Sequence, residues 1–206
     1  MDKVTIISGC SDAAIADWLA ARLGEQLAAR GGQVPITVPG GSTPFPIIEA
    51  LLAHDLDWTR LQVWPGDDRV VPEDHAASNT GKLRALFEPA GAEVVTLDEH
   101  SQVPRFALAW LGMGTDGHIA SLFPNTDPRI DEPRSILRLT PDPLPPEAPF
   151  DRISLTLPAL LASDALVFVI RGEEKRAVFD QAVAGKHDLP VARLLGAIKQ
   201  PVTCFT

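Results

Sequence analysis

The sequence predicts an α/β fold in which a mostly parallel sheet is covered by helices on both faces. Three observations predict it. Short β-branched or apolar runs alternate with helical patterns along the 206 residues. The run "VPRFALAWLG" is continuously apolar, as a strand buried on both faces requires. Glycine-bearing or charged turns follow three of the strands, and ligands of open parallel sheets bind beyond the carboxyl ends of the strands.

The elements follow in order. "VTIIS" reads as the first strand, and "DAAIADWLAARLGEQLAAR" as a helix capped by Ser11 or Asp12. "QVPITV" is a second strand despite its proline. "TPFPIIEALLA" is a helix with Pro44 in its first turn, where a missing N–H costs nothing. "LQVW" is the third strand, "ASNTGKLRALF" the third helix, and "VPRFALAWLG" the fourth strand. "RISLT", "ALVFVI" and "VTCF" complete the strands, and "EEKRAVFDQAVAG" is a helix closed by Gly185. No internal repeat stands out. The proline-rich "TPDPLPPEAPFDR" is too short for a linker and reads as a surface loop, so one domain over residues 1–206 is expected.

Apolar residues make up 45% of the chain and charged residues 22%, ordinary values for a soluble globular protein. No apolar run is long enough to cross a bilayer. The N-terminal stretch lacks the layout of a signal peptide, so a cytoplasmic location is expected. Cys10 and Cys204 form no metal-type spacing and are too few for a disulfide scaffold. The net charge of −9 repels nucleic acid and anionic membranes alike. An anionic small substrate would need cations gathered at one place.

Four segments carry residue types suited to chemistry. "VPGGSTP" offers backbone N–H groups at Gly40 and Gly41, the hydroxyls of Ser42 and Thr43, and the positive end of the following helix. That suits a phosphate, and a plain turn with a Ser or Thr cap is the alternative. It is not a Walker A loop, since no G-K-[ST] is present. "PGDDR" sets Asp67, Asp68 and Arg69 at a strand end, either as a solvated turn or as a substrate clamp. Arg152 precedes a strand. Lys175 stands in a first helical turn, where the dipole disfavours a cation unless an anion compensates, and Glu173 or Glu174 are candidates for that.

The fourth segment, "LGMGTDGH", spells G-x-G-x-x-G through Gly112, Gly114 and Gly117. A dinucleotide site wants an acid at the tip of the next strand, about 20 residues on. Asp131 and Glu132 fall there, but in a polar, proline-bearing stretch. The better reading is a sharp turn that presents Asp116 and His118. A carboxylate beside an imidazole stabilises its charged form, which is equipment for moving a proton near neutral pH.

The order "PGGSTP", "DDRVVPEDHAASN", "LGMGTDGHIASLFP" and "RISLTLPALLASDALVFVIRGEEK" resembles the 6-phosphogluconolactonases, from about Ile36 to Lys175. These share a larger group with the glucosamine-6-phosphate deaminases. The resemblance implies a Rossmann-like three-layer α/β/α sandwich. It implies hydrolysis of 6-phospho-D-glucono-1,5-lactone to 6-phosphogluconate, in the oxidative pentose phosphate pathway. It also implies Gly40, Gly41, Ser42 and Thr43 as a phosphate loop, with Arg69, Arg152 and Lys175 on the anionic substrate. His118 would move the proton, Asp116 would orient it, and Asp67 would lie near the sugar ring. No metal or cofactor is expected. The partner is the small-molecule sugar-phosphate lactone, and the protein a monomer or small homo-oligomer.

Departures from the resembled pattern are visible. Asp68 stands where that family usually has Glu, a lysine common in the proline-rich loop has no counterpart, and a helix before the "LGMG" strand is replaced by a short run after Leu97. The deaminases carry a Glu where this chain has Phe123, which favours the lactonase over an amino-sugar-phosphate deaminase or isomerase. A non-catalytic sugar-phosphate sensor of this fold would carry an added DNA-binding segment, and the first strand already begins by Val4. The group that stabilises the tetrahedral oxyanion is not named by the sequence; backbone N–H groups of a glycine turn are candidates.

Overall fold

The computed structural model of the protein describes residues 3–144, 146 and 148–206. Seven strands form one parallel sheet in the order β1-β10-β9-β6-β2-β3-β5. They are β1 (Val4–Ile7), β2 (Val34–Val38), β3 (Leu61–Pro65), β5 (Glu93–Val94), β6 (Leu108–Leu111), β9 (Leu166–Val169) and β10 (Val202–Phe205). Three more make a small antiparallel sheet, β4 (Asp67–Arg69), β8 (Arg152–Leu155) and β7 (Ile136–Leu139), in the order β4-β8-β7. The helices are α1 (Asp12–Ala29), α2 (Pro44–Leu52), α3 (Asn79–Phe87), α4 (Leu157–Leu161), α5 (Glu173–Val183) and α6 (Pro190–Ala197).

Strand periodicity divides the apolar residues between two cores, one on each face of the large sheet. On β6, Leu108 and Trp110 join the core of α1, α2 and α3, packed with Leu19, Ile47 and Phe87. Ala109 and Leu111 join the opposite core, with Phe179 of α5, Leu194 of α6 and Ile153 of the small sheet. All four residues of β6 are buried, which is why its sequence is continuously apolar. This is the α/β/α layering expected. Ser11 caps α1, its side chain accepting the Ala14 N–H at 3.2 Å. No helix among the described residues is long and apolar enough to cross a membrane.

The structure differs from the sequence reading at β4, at β8 and in four short elements. "DDR" is not a turn but strand β4, paired antiparallel with β8. Aspartate is disfavoured in strands, and here the ladder with β8 overrides that propensity. "RISLT" is a strand, but it belongs to the small sheet. Strands β5 and β7 and helices α4 and α6 went unassigned; all are short, and α6 begins at Leu189–Pro190 with no polar cap to announce it. Within the proline-rich loop, Pro145 and Glu147 lie outside the described residues, and its other residues up to Asp151 form no helix or strand.

Candidate active site

The chain runs outward from β2 through β3 to β5, then returns to place β6 on the other side of β2. Strand order therefore reverses between β2 and β6, and the crevice beyond such a reversal is where open α/β sheets bind ligands. A cavity of about 350 Å³ opens there, bordered by the segments after β2, β3, β6 and β9. That is within the size range of small-molecule sites.

One wall is cationic. Arg69 on β4 and Arg152 on β8 face each other in register across the small sheet and both line the cavity. Arg152 is buried and donates to the carbonyls of Phe150 and Ala148, each at 2.8 Å. Burial and then the Arg69 charge pull its guanidinium below the usual range. Among the described residues neither arginine forms an ion pair with a carboxylate, and neither does Lys175, which lines the cavity from α5. Glu173 and Glu174 thus do not compensate Lys175. Clustered, partly buried cations without carboxylate partners are costly, and an anion in the cavity would relieve that cost. Arg171 also borders the cavity but is already paired with Asp12 at 2.8 Å.

Gly40, Gly41, Ser42 and Thr43 bend over the same cavity into α2. Gly41 has φ +95°, a left-handed conformation that L side chains rarely adopt. Thr43 occupies the N-cap of α2 but makes no side-chain capping bond, so its hydroxyl is not committed to the helix. Of the two readings of this turn, that favours the anion loop over the plain cap.

The opposite wall comes from the turn after β6. Met113 bridges to Ile119 in antiparallel fashion, doubling the chain back so that His118 lines the cavity. His118 Nδ1 lies 2.6 Å from Asp116 Oδ1, which also accepts the His118 backbone N–H at 3.2 Å. Burial opposes ionisation of Asp116, but the hydrogen bond and charge of His118 outweigh it and hold the carboxyl below its ordinary value. A carboxylate on Nδ1 fixes the proton there and leaves Nε2 as the basic nitrogen. The Phe123 ring lies 4.7 Å from the imidazole and covers it.

Gly114 is what allows this packing: a Cβ there would sit 2.2 Å from the His118 ring. The turn opens no helix, only a 3-10 turn at Pro124–Thr126, so it lacks the helix N-terminus on which a pyrophosphate would rest. Its N–H groups at Gly114 and Gly117 are used within the turn, on the carbonyls of His118 and Gly114. They are not available as oxyanion donors. The dinucleotide spacing is coincidental.

Between the walls lies Asp67. Its carboxylate accepts a hydrogen bond from the Ser121 hydroxyl, and burial pushes its pKa up from the ordinary value despite that bond and the nearby Arg69. Ser121 is turned toward it by Ala120, which takes a left-handed φ of +50°. The neighbouring Asp68 points the other way and is buried. It accepts from the backbone N–H groups of Arg69 (2.7 Å), Asn79 (2.6 Å) and Thr80 (2.8 Å), and from the Ser78 hydroxyl (3.1 Å). It thereby ties β4 to the start of α3, and the two adjacent acids have separate tasks.

Nine of the ten nominated site residues therefore line one cavity. The tenth, Asp116, does not meet it as the turn reading supposed; it faces a neighbouring groove and reaches the cavity through His118. Sequence reasoning missed Asn79 and Ser121, which also line the cavity. The polar "SN" that opens α3 was the available signal for Asn79. Ser121 carried none, because its contact with Asp67 spans 54 residues.

Fold and site define a class: an α/β/α protein with a cation-lined cleft and a histidine–carboxylate pair at the switch point of its sheet. The model of the family described as glucosamine-6-phosphate isomerases/6-phosphogluconolactonase matches residues 11–102 and 83–203, and the chain belongs to that family. It is 35% identical over 204 residues to a 6-phosphogluconolactonase of Pseudomonas aeruginosa, spanning 87% of this chain and 84% of that one. The 6-phosphogluconolactonase of Neisseria meningitidis is 34% identical over 216 residues, with 92% and 90% covered. The crystal structure of a 6-phosphogluconolactonase from Shewanella baltica matches with a TM-score of 0.81 at 26% identity, covering 98% of this chain and 97% of that chain.

Proposed function

We propose that this protein hydrolyses 6-phospho-D-glucono-1,5-lactone to 6-phosphogluconate, with His118 as general base and then general acid. One observation carries the reading: an imidazole backed by a carboxylate borders the same cavity as three cations that lack carboxylate partners among the described residues. The curated relatives named 6-phosphogluconolactonase support the substrate.

The phosphate sits among Gly40, Gly41, Ser42 and Thr43, Arg69, Arg152 and Lys175. The lactone ring lies toward His118 and Asp67. His118 Nε2 takes a proton from water as its oxygen attacks the lactone carbonyl. The imidazolium then protonates the ring oxygen as the tetrahedral intermediate collapses, leaving the free acid. A base so placed contributes roughly 10²–10⁴-fold, and the cations add positioning of the substrate. Asp116 keeps the imidazole in the tautomer that presents Nε2. The raised pKa of Asp67 suits a group that holds a sugar hydroxyl by accepting or donating a hydrogen bond.

The test is acid release from 6-phosphogluconolactone, corrected for spontaneous hydrolysis. Turnover above background that is lost in His118→Asn is expected. Turnover equal to background overturns the activity, and an undiminished His118→Asn overturns the mechanism alone. Ammonia release from glucosamine 6-phosphate would instead mark the deaminase reading, against which Phe123 stands by covering the imidazole with an apolar ring.

A further inference from the structure

We infer that Asn79 is a positioning residue that aims the Arg69 guanidinium at the bound phosphate; this rests on the reading of the cavity as a sugar-phosphate site. Asn79 is the first residue of α3 and is buried, with 2% of its surface exposed. Both ends of its amide are in use. Nδ2 donates to the Asp67 carbonyl at 2.9 Å, and Oδ1 accepts from Arg69 Nη1 at 2.7 Å. The partners fix the orientation of the amide, since a carbonyl needs the donor and a guanidinium needs the acceptor.

The loop after β2 passes directly against this amide. A Cβ on Gly40 would lie 2.1 Å from Asn79 Oδ1. The first glycine of the loop is thus required by Asn79, and one side chain touches the loop, the β4 backbone and the guanidinium.

Among the described residues, Arg69 has little else to hold it. Nη1 also donates to the Ala77 carbonyl at 3.2 Å, and Nε is buried with no partner. Without the Asn79 amide the guanidinium keeps one long hydrogen bond. The start of α3 does not depend on that amide. Asp68 holds the Asn79 backbone N–H, and Ser78 Oγ accepts from Gly81 N at 3.0 Å. Truncating the side chain therefore leaves the helix cap in place.

The experiment is a double-mutant cycle read by calorimetric binding of 6-phosphogluconate and by lactone kinetics. It compares wild type, Asn79→Ala, Arg69→Ala and the pair. Asn79→Ala is expected to weaken binding and raise KM about tenfold, the scale of one hydrogen bond to a charged group, with kcat little changed. In the Arg69→Ala background the same change is expected to do nothing. Asn79→Asp places a carboxylate on Arg69 and is expected to weaken binding further. Asn79→Ser, which keeps a polar group but does not reach Arg69, serves the cycle if the alanine variant fails to fold.

Equal losses in both backgrounds, or a fall in thermal stability and kcat with unchanged binding, overturn the inference. So does a wild type that binds no 6-phosphogluconate. A wild type that binds it, shows the coupling and yet does not hydrolyse the lactone overturns the activity and leaves the role of Asn79 standing.

Discussion

His118 Nδ1 and Asp116 Oδ1 stand 2.6 Å apart, with the imidazole bordering the cavity and the carboxylate behind it. The turn that joins them brings the backbone N–H of His118 onto the same oxygen, so the ring and its partner move as one unit.

Asp116→Asn keeps the shape of the turn but removes the charge and the strict acceptor. The Asn amide can present its N–H₂ to Nδ1 and stabilise the tautomer that leaves Nε2 without a lone pair. We expect kcat to fall by about 10²-fold or more with KM little altered, because the base is impaired and the phosphate contacts are not. Steady-state kinetics on the lactone check this.

The same pair makes stability pH-dependent. The folded pKa of Asp116 is depressed below the ordinary carboxylate value, so the native state binds fewer protons than the unfolded state in that range. Its contribution is fully present above the unfolded value and is lost as pH falls through the folded one. The stability gap between wild type and Asp116→Asn should be constant from neutral pH down to about pH 5 and close below that. Thermal melts at stepped pH measure it.

Asp67 has the opposite sign. Its folded pKa is raised, so the native state binds more protons, and stability falls as pH climbs from 3.8 through the folded value. Asp67→Asn should therefore melt higher than wild type at pH 7, with the advantage gone below pH 3.8. Its turnover should nevertheless drop. Urea unfolding at both pH values, with a lactone assay beside it, tests the pair of outcomes.

Gly114 and Asp68 support the two walls in different ways. Gly114→Ala puts a Cβ 2.2 Å from the imidazole and must displace it. A loss of kcat with a cooperative melt near that of wild type is expected. Asp68→Ala instead leaves four donors without their acceptor, the Arg69 N–H on β4 and three groups at the start of α3. It should cost about 3 kcal/mol of stability, read from urea denaturation.

Much of the fold was legible because buried parallel strands leave plain marks. "ALVFVI" is apolar throughout and "VTCF" everywhere but at Thr203, and helices α1 and α2 were announced by a polar cap at Ser11 and a first-turn proline at Pro44. Helix α6 has Pro190 in its first turn but no side-chain cap, and at eight residues it offers only two turns of pattern to read. The small sheet was hidden for another reason. β8 is buried at every position, as a central strand is, so nothing in "RISL" tells which sheet it joins. β4 consists of three charged residues whose strand form exists only because β8 pairs with it.

The sequence by itself determined the parallel α/β layering, the glycine turns at the strand ends, and the residue types of the site. Local spacing carries these, since period-two burial and turn chemistry act within a few residues. Only the tertiary structure decided how those residues act on one another. It set Asp116 behind His118 rather than beside it in the cavity, and gave Asp68 to the helix while Asp67 kept the cleft. It also laid Asn79 between Gly40 and Arg69, across 39 residues of chain in one direction and ten in the other. Those relations are contacts between segments distant in sequence. They follow from where β2, β4 and α3 pack, and no residue in any of the three specifies that packing alone.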